Sequence, residues 1–294
     1  MGARVGGAFD QRPMILEVLQ PGPGEAACQE VAVTTDGPRP SRWILRTIRA
    51  SIAEVATYTL SGVWRLLNRL DLRLRSAQVQ QYSPDPDYLD KEAHLLACLG
   101  EAARAPGEVI MLFIDEMGYY RWPEPARDWT AAAPLAAPRA LRGGASNRQW
   151  RLIGALNAQT GRVDYRENYI VGRQQVGLFY RQLDHAYPVA RQIYLAQDNW
   201  SIHRHPEVLA VLAELPRLEP VWLPTYAPWL NPIEKLWRWL RQDVLKLHRQ
   251  AADWAELQRR VNAFLNQFAL GSHDLLRYVG LSGDGKFATA LHQA

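Results

Sequence analysis

A mixed α/β sheet flanked by helices, with a small all-helical unit in front of it, is the fold class this sequence predicts, and three observations carry the prediction. Residues 38–80 read as short amphipathic helices, whereas the chain beyond residue 83 changes to short apolar runs. Three of those runs come in succession and the later ones alternate with helical stretches, the order expected of strands with helices laid on the faces of a sheet. The chain has 294 residues, 48% hydrophobic and 22% charged, enough to bury one large core and a smaller one.

Taken in order, residues 1–40 are rich in Gly, Pro and Ala, with breakers at QPGPGEAA and DGPRPS, and are expected to be irregular. Residues 41–82 follow a helical period. Trp43, Ile44, Leu45, Ile48 and Ile52 form one apolar stripe, TYTLSG interrupts it, and Val63, Trp64, Leu66, Leu67 and Leu70 resume it. Thr59 or Ser61 is placed to cap the second helix. Two short helices joined by a tight connection are the plan of a helix-turn-helix, a DNA-binding unit. The charge agrees with that plan. The whole chain carries a formal +4, but residues 38–80 alone hold eight arginines (Arg39, Arg42, Arg46, Arg49, Arg65, Arg69, Arg73, Arg75) against Glu54 and Asp71, or +6, leaving −2 elsewhere. A local arginine cluster is the electrostatic footprint of a phosphate backbone, and Arg42, Arg46, Arg49, Arg65, Arg69, Arg73 and Arg75 are the candidate DNA contacts.

The prolines of QQYSPDPDYLD place a domain boundary near Ser83, and 83–106 reads as a linker helix whose apolar stripe is Leu89, Ala93, Leu96 and Leu99. A catalytic domain is expected over 107–270. Its strands are read at 108–115, 149–158, 162–171, 191–198 and 219–224, and its helices at 173–187, 205–214 and 232–248. Three strands in a meander and then alternating elements give the order of an RNase H-like fold. A Pro- and Ala-rich insertion fills 124–148, and 271–294 is read as a C-terminal tail.

Two runs end in an acid, VIMLFID at Asp115 and IYLAQD at Asp198, so each strand would deliver a carboxylate at its carboxyl end, where sheets of this type keep ligand sites. Glu234 has two readings. Asn231, Pro232 and Glu234 could form a capping box, or Glu234 could stand with Arg238 and Arg241 on the polar side of a helix, facing a metal and a phosphate together. Three converging acids would suit two divalent cations with oxygen ligands, Mg²⁺ or Mn²⁺, and hence phosphoryl transfer on nucleic acid. Glu116 is a supporting candidate beside Asp115. Trp229, Trp237 and Trp239 around Glu234 are read as packing. Cys28 and Cys98 are too few for a disulfide framework, and no window approaches eighteen uncharged apolar residues, so a cytoplasmic protein without a membrane segment is expected.

Together, FIDEMGYYRWP, LAQDNWSIH and YAPWLNPIEKLW resemble the signature of the DDE transposases of the mariner superfamily, in particular their bacterial insertion-sequence-630 branch. The order of the motifs matches, and 35 residues separate Asp198 from Glu234. The resemblance implies that Asp115, Asp198 and Glu234 are a metal-binding triad and that Asn199 and His203 support it. It implies an enzyme that cuts double-stranded DNA at transposon terminal repeats and joins the ends to target DNA at TA, as a homodimer on the bacterial nucleoid. A catalytically silent DNA-binding derivative is the alternative. Relatives usually carry two helix-turn-helix units, and only one is legible here.

Overall fold

The computed structural model describes residues 42–75, 82–130 and 137–292; the irregular segment expected at 1–40 and part of the 124–148 insertion lie outside the described residues. The chain divides into two compact units, Met1–Val79 and Gln80–Ala294.

The first unit holds α1 (Leu45–Ser51), a 3₁₀ turn (Ala53–Val55) and α2 (Leu60–Arg69). Ile48, Ile52, Val55, Val63 and Leu66 form its core. Thr59 caps α2 by accepting the Gly62 N–H at 3.1 Å, satisfying one of the orphan donors of the first turn. One expectation fails: Trp64 is 57% exposed, because it lies about 100° around the helix from Val63, off the buried stripe. The seven candidate arginines from Arg42 to Arg75 are all exposed, and Arg73 pairs with Asp71 at 3.2 Å.

The second unit opens with α3 (Tyr88–Arg104), followed by β1 (Val109–Tyr120), β2 (Gln149–Asn157), β3 (Val163–Asn168), α4 (Arg173–Ala186), β4 (Gln192–Gln197), α5 (Pro206–Ala213) and β5 (Leu218–Trp222). After a 3₁₀ turn (Pro228–Leu230) come α6 (Ile233–Leu240), α7 (Trp254–Asn266), α8 (His273–Val279) and α9 (Lys286–His292). The sheet order is β3-β2-β1-β4-β5. β1, β2 and β3 are an antiparallel meander, while β4 and β5 run parallel to β1 on its other side, which is the RNase H-like arrangement. Strand alternation divides the core in two. Met111, Phe113, Met117 and Tyr119 of β1 join the apolar faces of α3, α6, α7 and α8, whereas Ile110, Leu112 and Ile114 join α4 and α5.

Three further readings are corrected. In α3 the buried positions are Leu95, Cys98, Leu99, Gly100 and Ala102, while Leu89 is 76% exposed and Ala93 is exposed as well, since the stripe that meets the sheet begins nearly two turns later, at Leu95. The helix expected over 232–248 ends at Leu240 and passes into a π-helical turn, Arg241–Leu245. A π turn holds one residue more than an α turn, so the buried position moves from Val244 to Leu245. The segment read as a tail forms α8 and α9, and Phe287 packs its ring 5.8 Å from Phe113 in the core.

Candidate active site

The candidate site lies where β1 parts from β4. Their parallel pairing ends at Phe113↔Ala196, but β1 continues against β2 through Asp115↔Gly154 as far as Tyr120↔Gln149. Asp115 is therefore in the middle of β1 and not at its end as the apolar run suggested; it is the end of β4 that opens the sheet beside it. Asn231 fills the gap by donating its Nδ2–H to the Ile114 carbonyl at 2.9 Å. That bond also settles the capping question. The Asn231 Nδ2 is turned to β1 and its Oδ1 takes no hydrogen bond among the described residues, so no capping box forms, and Glu234 stands in the first turn of α6 as a half-buried carboxyl.

Asp115 points to the α6 face of the sheet. There Trp237, one turn along α6 from Glu234, donates its indole N–H to Asp115 Oδ2 at 2.9 Å. Gly154 makes room for that indole: a Cβ at residue 154 would stand 2.6 Å from Trp237 Cη2. Burial raises the Asp115 carboxyl well above the usual carboxylate range, and the nearby charges of Glu234, Glu116 and Asp198 push it the same way. Burial likewise raises Glu234, opposed by Arg238 and Arg241 and reinforced by Asp198. The charges of Glu234 and Asp198 thus both bear on Asp115, and that of Asp198 on Glu234. Arg241 also bonds Glu124 Oε1 at 2.7 Å, so its charge is shared between two carboxylates.

Asp198 follows the last residue of β4 and accepts the Trp200 N–H on Oδ1 at 2.9 Å. Asn199 donates from Nδ2 to the Leu223 carbonyl at 2.8 Å and to Thr225 Oγ1 at 3.3 Å, while its Oδ1 accepts from Arg204 at 2.7 Å. Thr225 is held in turn by Asp85, which accepts its N–H at 2.7 Å and is paired with Lys91 at 2.8 Å. The loop leading to Glu234 is thereby stitched to β1, to β4 and to the start of α3. Glu116, adjacent to Asp115, falls on the opposite face, where its Oε1 lies 3.5 Å from His203 Nε2. His203 is buried, 1% exposed, and its Nε2 is also 3.6 Å from Asp198 Oδ1.

The donors gathered here are carboxylate oxygens, the ligand type of Mg²⁺ and Mn²⁺, and Glu116 Oε1 is buried with no hydrogen-bond partner among the described residues. This chemistry fits a hard divalent cation. Among the described residues, no three His, Cys, Asp or Glu side chains stand close enough to form a ready-made metal cage. The arginines Arg42 to Arg75 belong to the other unit, and Arg238 and Arg241 are the cations beside Glu234. Sequence reasoning missed the donor role of Trp237, although its place three residues after Glu234 puts both on one side of α6. It also passed over Gln197, a polar residue inside the apolar run IYLAQ.

A family profile described as DDE superfamily endonuclease matches residues 110–258. An "Insertion element IS630 uncharacterized 39 kDa protein" of Shigella sonnei is 25% identical over 273 residues, spanning 90% of this chain and 74% of that protein. Among solved structures, the Mos1 mariner paired-end complex with Mn aligns with a TM-score of 0.57 at 14% identity, over 95% of this chain and 89% of that one. A pre-cleavage Mos1 transpososome aligns with a TM-score of 0.54 at 16% identity, over 98% and 92%. With its RNase H-like sheet and its three motifs in order, the chain belongs to the DDE superfamily endonucleases, in the branch of the insertion-sequence-630 and mariner transposases.

Proposed function

We propose that the chain cuts double-stranded DNA at the terminal repeats of its own element and joins the cut ends to target DNA at TA dinucleotides, acting as a homodimer in the bacterial cytoplasm. The observation that carries this reading is geometric: the β1–β4 pairing ends at Phe113↔Ala196, and beside that opening stand Asp115, bonded by Trp237 of the helix that bears Glu234, and Asp198, the residue after β4. Asp115, Asp198 and Glu234 are the residues that would hold two divalent ions, Mg²⁺ or Mn²⁺. Such ions, when bound, supply Lewis acidity to both sides of a phosphodiester. The chain's own groups prepare that site. Trp237 fixes the Asp115 carboxylate through its indole N–H, Asn231 holds α6 against β1, and Trp200 fixes one oxygen of Asp198. Arg238 and Arg241 offer positive charge to the DNA phosphate beside Glu234. The exposed arginines of the first unit give sequence-independent attraction to the duplex through counterion release, and α2 is the helix suited to its major groove. The domains of this reading are a helix-turn-helix over 41–82, a linker helix and a catalytic domain.

The test is cleavage of a duplex bearing the element's ends, with Mg²⁺, Mn²⁺ or EDTA, by the native chain and by Asp198→Asn. Cutting should require the metal and fall about 10³-fold in the variant, several kcal/mol of transition-state stabilisation being lost. Cutting that ignores both chelator and substitution would refute the proposal.

A further inference from the structure

The face of the sheet turned away from Asp115 and Trp237 is largely apolar, and its polar groups near the ends of β1 and β4 are gathered at one place. Behind Ile114 and Leu195, against Val176 and Phe179 of α4, four polar side chains meet: Glu116, Tyr180, Gln197 and His203. The fully buried Tyr180 hydroxyl donates to Gln197 Oε1 at 2.6 Å. The Tyr180 hydroxyl oxygen also lies 3.3 Å from His203 Nδ1. On the far side of the imidazole, Nε2 faces Glu116 Oε1 at 3.5 Å and Asp198 Oδ1 at 3.6 Å. Carboxylate oxygens only accept, so Nε2 is the nitrogen that carries hydrogen; Nδ1 is then an acceptor, and the single hydrogen of the Tyr180 hydroxyl is divided between Gln197 Oε1 and Nδ1. Trp200 closes the imidazole edge-on, ring centroids 5.7 Å apart.

This arrangement is costly. Polar groups in an apolar layer are favourable only when fully bonded, yet Glu116 Oε1 and Gln197 Nε2 have no hydrogen-bond partner among the described residues. A layer selected for stability alone would be better served by apolar side chains of the same size. The chain of contacts also has a direction. It starts deep in α4 and ends on Asp198, whose exposed side chain follows the last residue of β4. Asp198 Oδ1 takes the Trp200 N–H and faces His203 Nε2 together, and that pair restricts rotation of a carboxylate which would otherwise turn freely.

We infer that Tyr180 is a positioning residue: through its hydroxyl it sets the plane of the His203 ring, and through His203 it holds the carboxylates of Asp198 and Glu116 in a fixed relation. The inference rests on the reading of Asp198 as a metal-holding acid. Partners one step behind a metal ligand typically account for about 10- to 100-fold in metal affinity or activity, and Tyr180 stands two steps behind.

The experiment uses the full chain and four variants: Tyr180→Phe, His203→Ala, their double variant, and His203→Gln, whose amide N–H can stand in for Nε2–H. Mn²⁺ affinity is read by calorimetry, and cleavage of a duplex bearing the element's ends is read as kcat and KM separately. Tyr180→Phe should keep the wild-type circular dichroism and KM for DNA, while Mn²⁺ affinity and kcat each fall about tenfold. In the His203→Ala background the tyrosine substitution should cost nothing more, because its route to Asp198 is gone, and His203→Gln should recover part of the loss seen with alanine. A Tyr180→Phe protein equal to wild type in both readouts, or a loss that adds in full to that of His203→Ala, overturns the inference alone. If Tyr180→Phe does not fold, equal losses from His203→Ala and His203→Gln overturn it instead. A wild-type protein that neither binds Mn²⁺ nor cuts DNA overturns both this inference and the functional reading beneath it.

Discussion

Asp115 and Glu116 are neighbours in sequence and occupy opposite faces of one sheet, and the two faces treat their acid differently. On the α6 face, Asp115 is enclosed by an indole donor, a glycine that makes room for it and a second acid on the facing helix. On the α4 face, Glu116 faces an imidazole that is backed by Tyr180 and Gln197. The first face gathers negative charge; the second anchors it. The difference teaches that two adjacent acids on a strand are not equivalent. Period-two alternation turns one toward α6 and the other toward α4.

That contrast is open to test, beginning with its largest expected effect. Asp115→Asn should lower DNA cleavage about 10³-fold, whereas Glu116→Gln one residue on should lower it about tenfold, measured on the same duplex under the same Mn²⁺ concentration. Comparable losses from the two would erase the distinction between the faces. Trp237→Phe keeps a ring over Gly154 but removes the indole donor, leaving Asp115 Oδ2 without its partner; a 10- to 100-fold fall in cleavage is expected, roughly 1–3 kcal/mol. An unchanged rate would show that the indole only packs.

The smallest effect concerns stability. Burial and neighbouring acids raise the Asp115 carboxyl in the folded state, so the folded chain holds that proton more tightly than the unfolded chain does. The stability associated with it is present in acid and is lost as pH rises from the ordinary carboxylate range through the raised folded value. In EDTA at neutral pH, Asp115→Asn should therefore melt a few degrees above wild type, with the gap closing near pH 4. A variant less stable than wild type at neutral pH would mean that Asp115 serves the fold and not the chemistry.

Much of this was legible in the sequence, and for identifiable reasons. Apolar runs ending in Asp115 and Asp198 stood out because an acid inside a buried strand is expensive, and the meander followed by alternating elements announced the sheet order. What stayed hidden depends on partners distant along the chain. That β1 runs past Asp115 follows from β2 pairing as far as Gln149, and no local pattern records it. Asn231 has the look of a cap in sequence, but a carbonyl on β1, 117 residues away, claims its amide. That His203 is buried against α4 is recorded by no local pattern, and Leu89 looks buried until the stripe of α3 proves to begin nearly two turns later. The register of α6 slipped because a π turn has no clear signature in a hydrophobic pattern.

The central claim is that Asp115, Asp198 and Glu234 share bound cations. Anomalous scattering at the manganese edge, from crystals of the full chain grown with Mn²⁺, tests it most directly. Metal density is expected between these three side chains, in contact with Asp115 and Asp198 and on the α6 side of the sheet. Metal held elsewhere, or Asp115 still bonded to Trp237 with no ion beside it while Mn²⁺ saturates the protein, would contradict it.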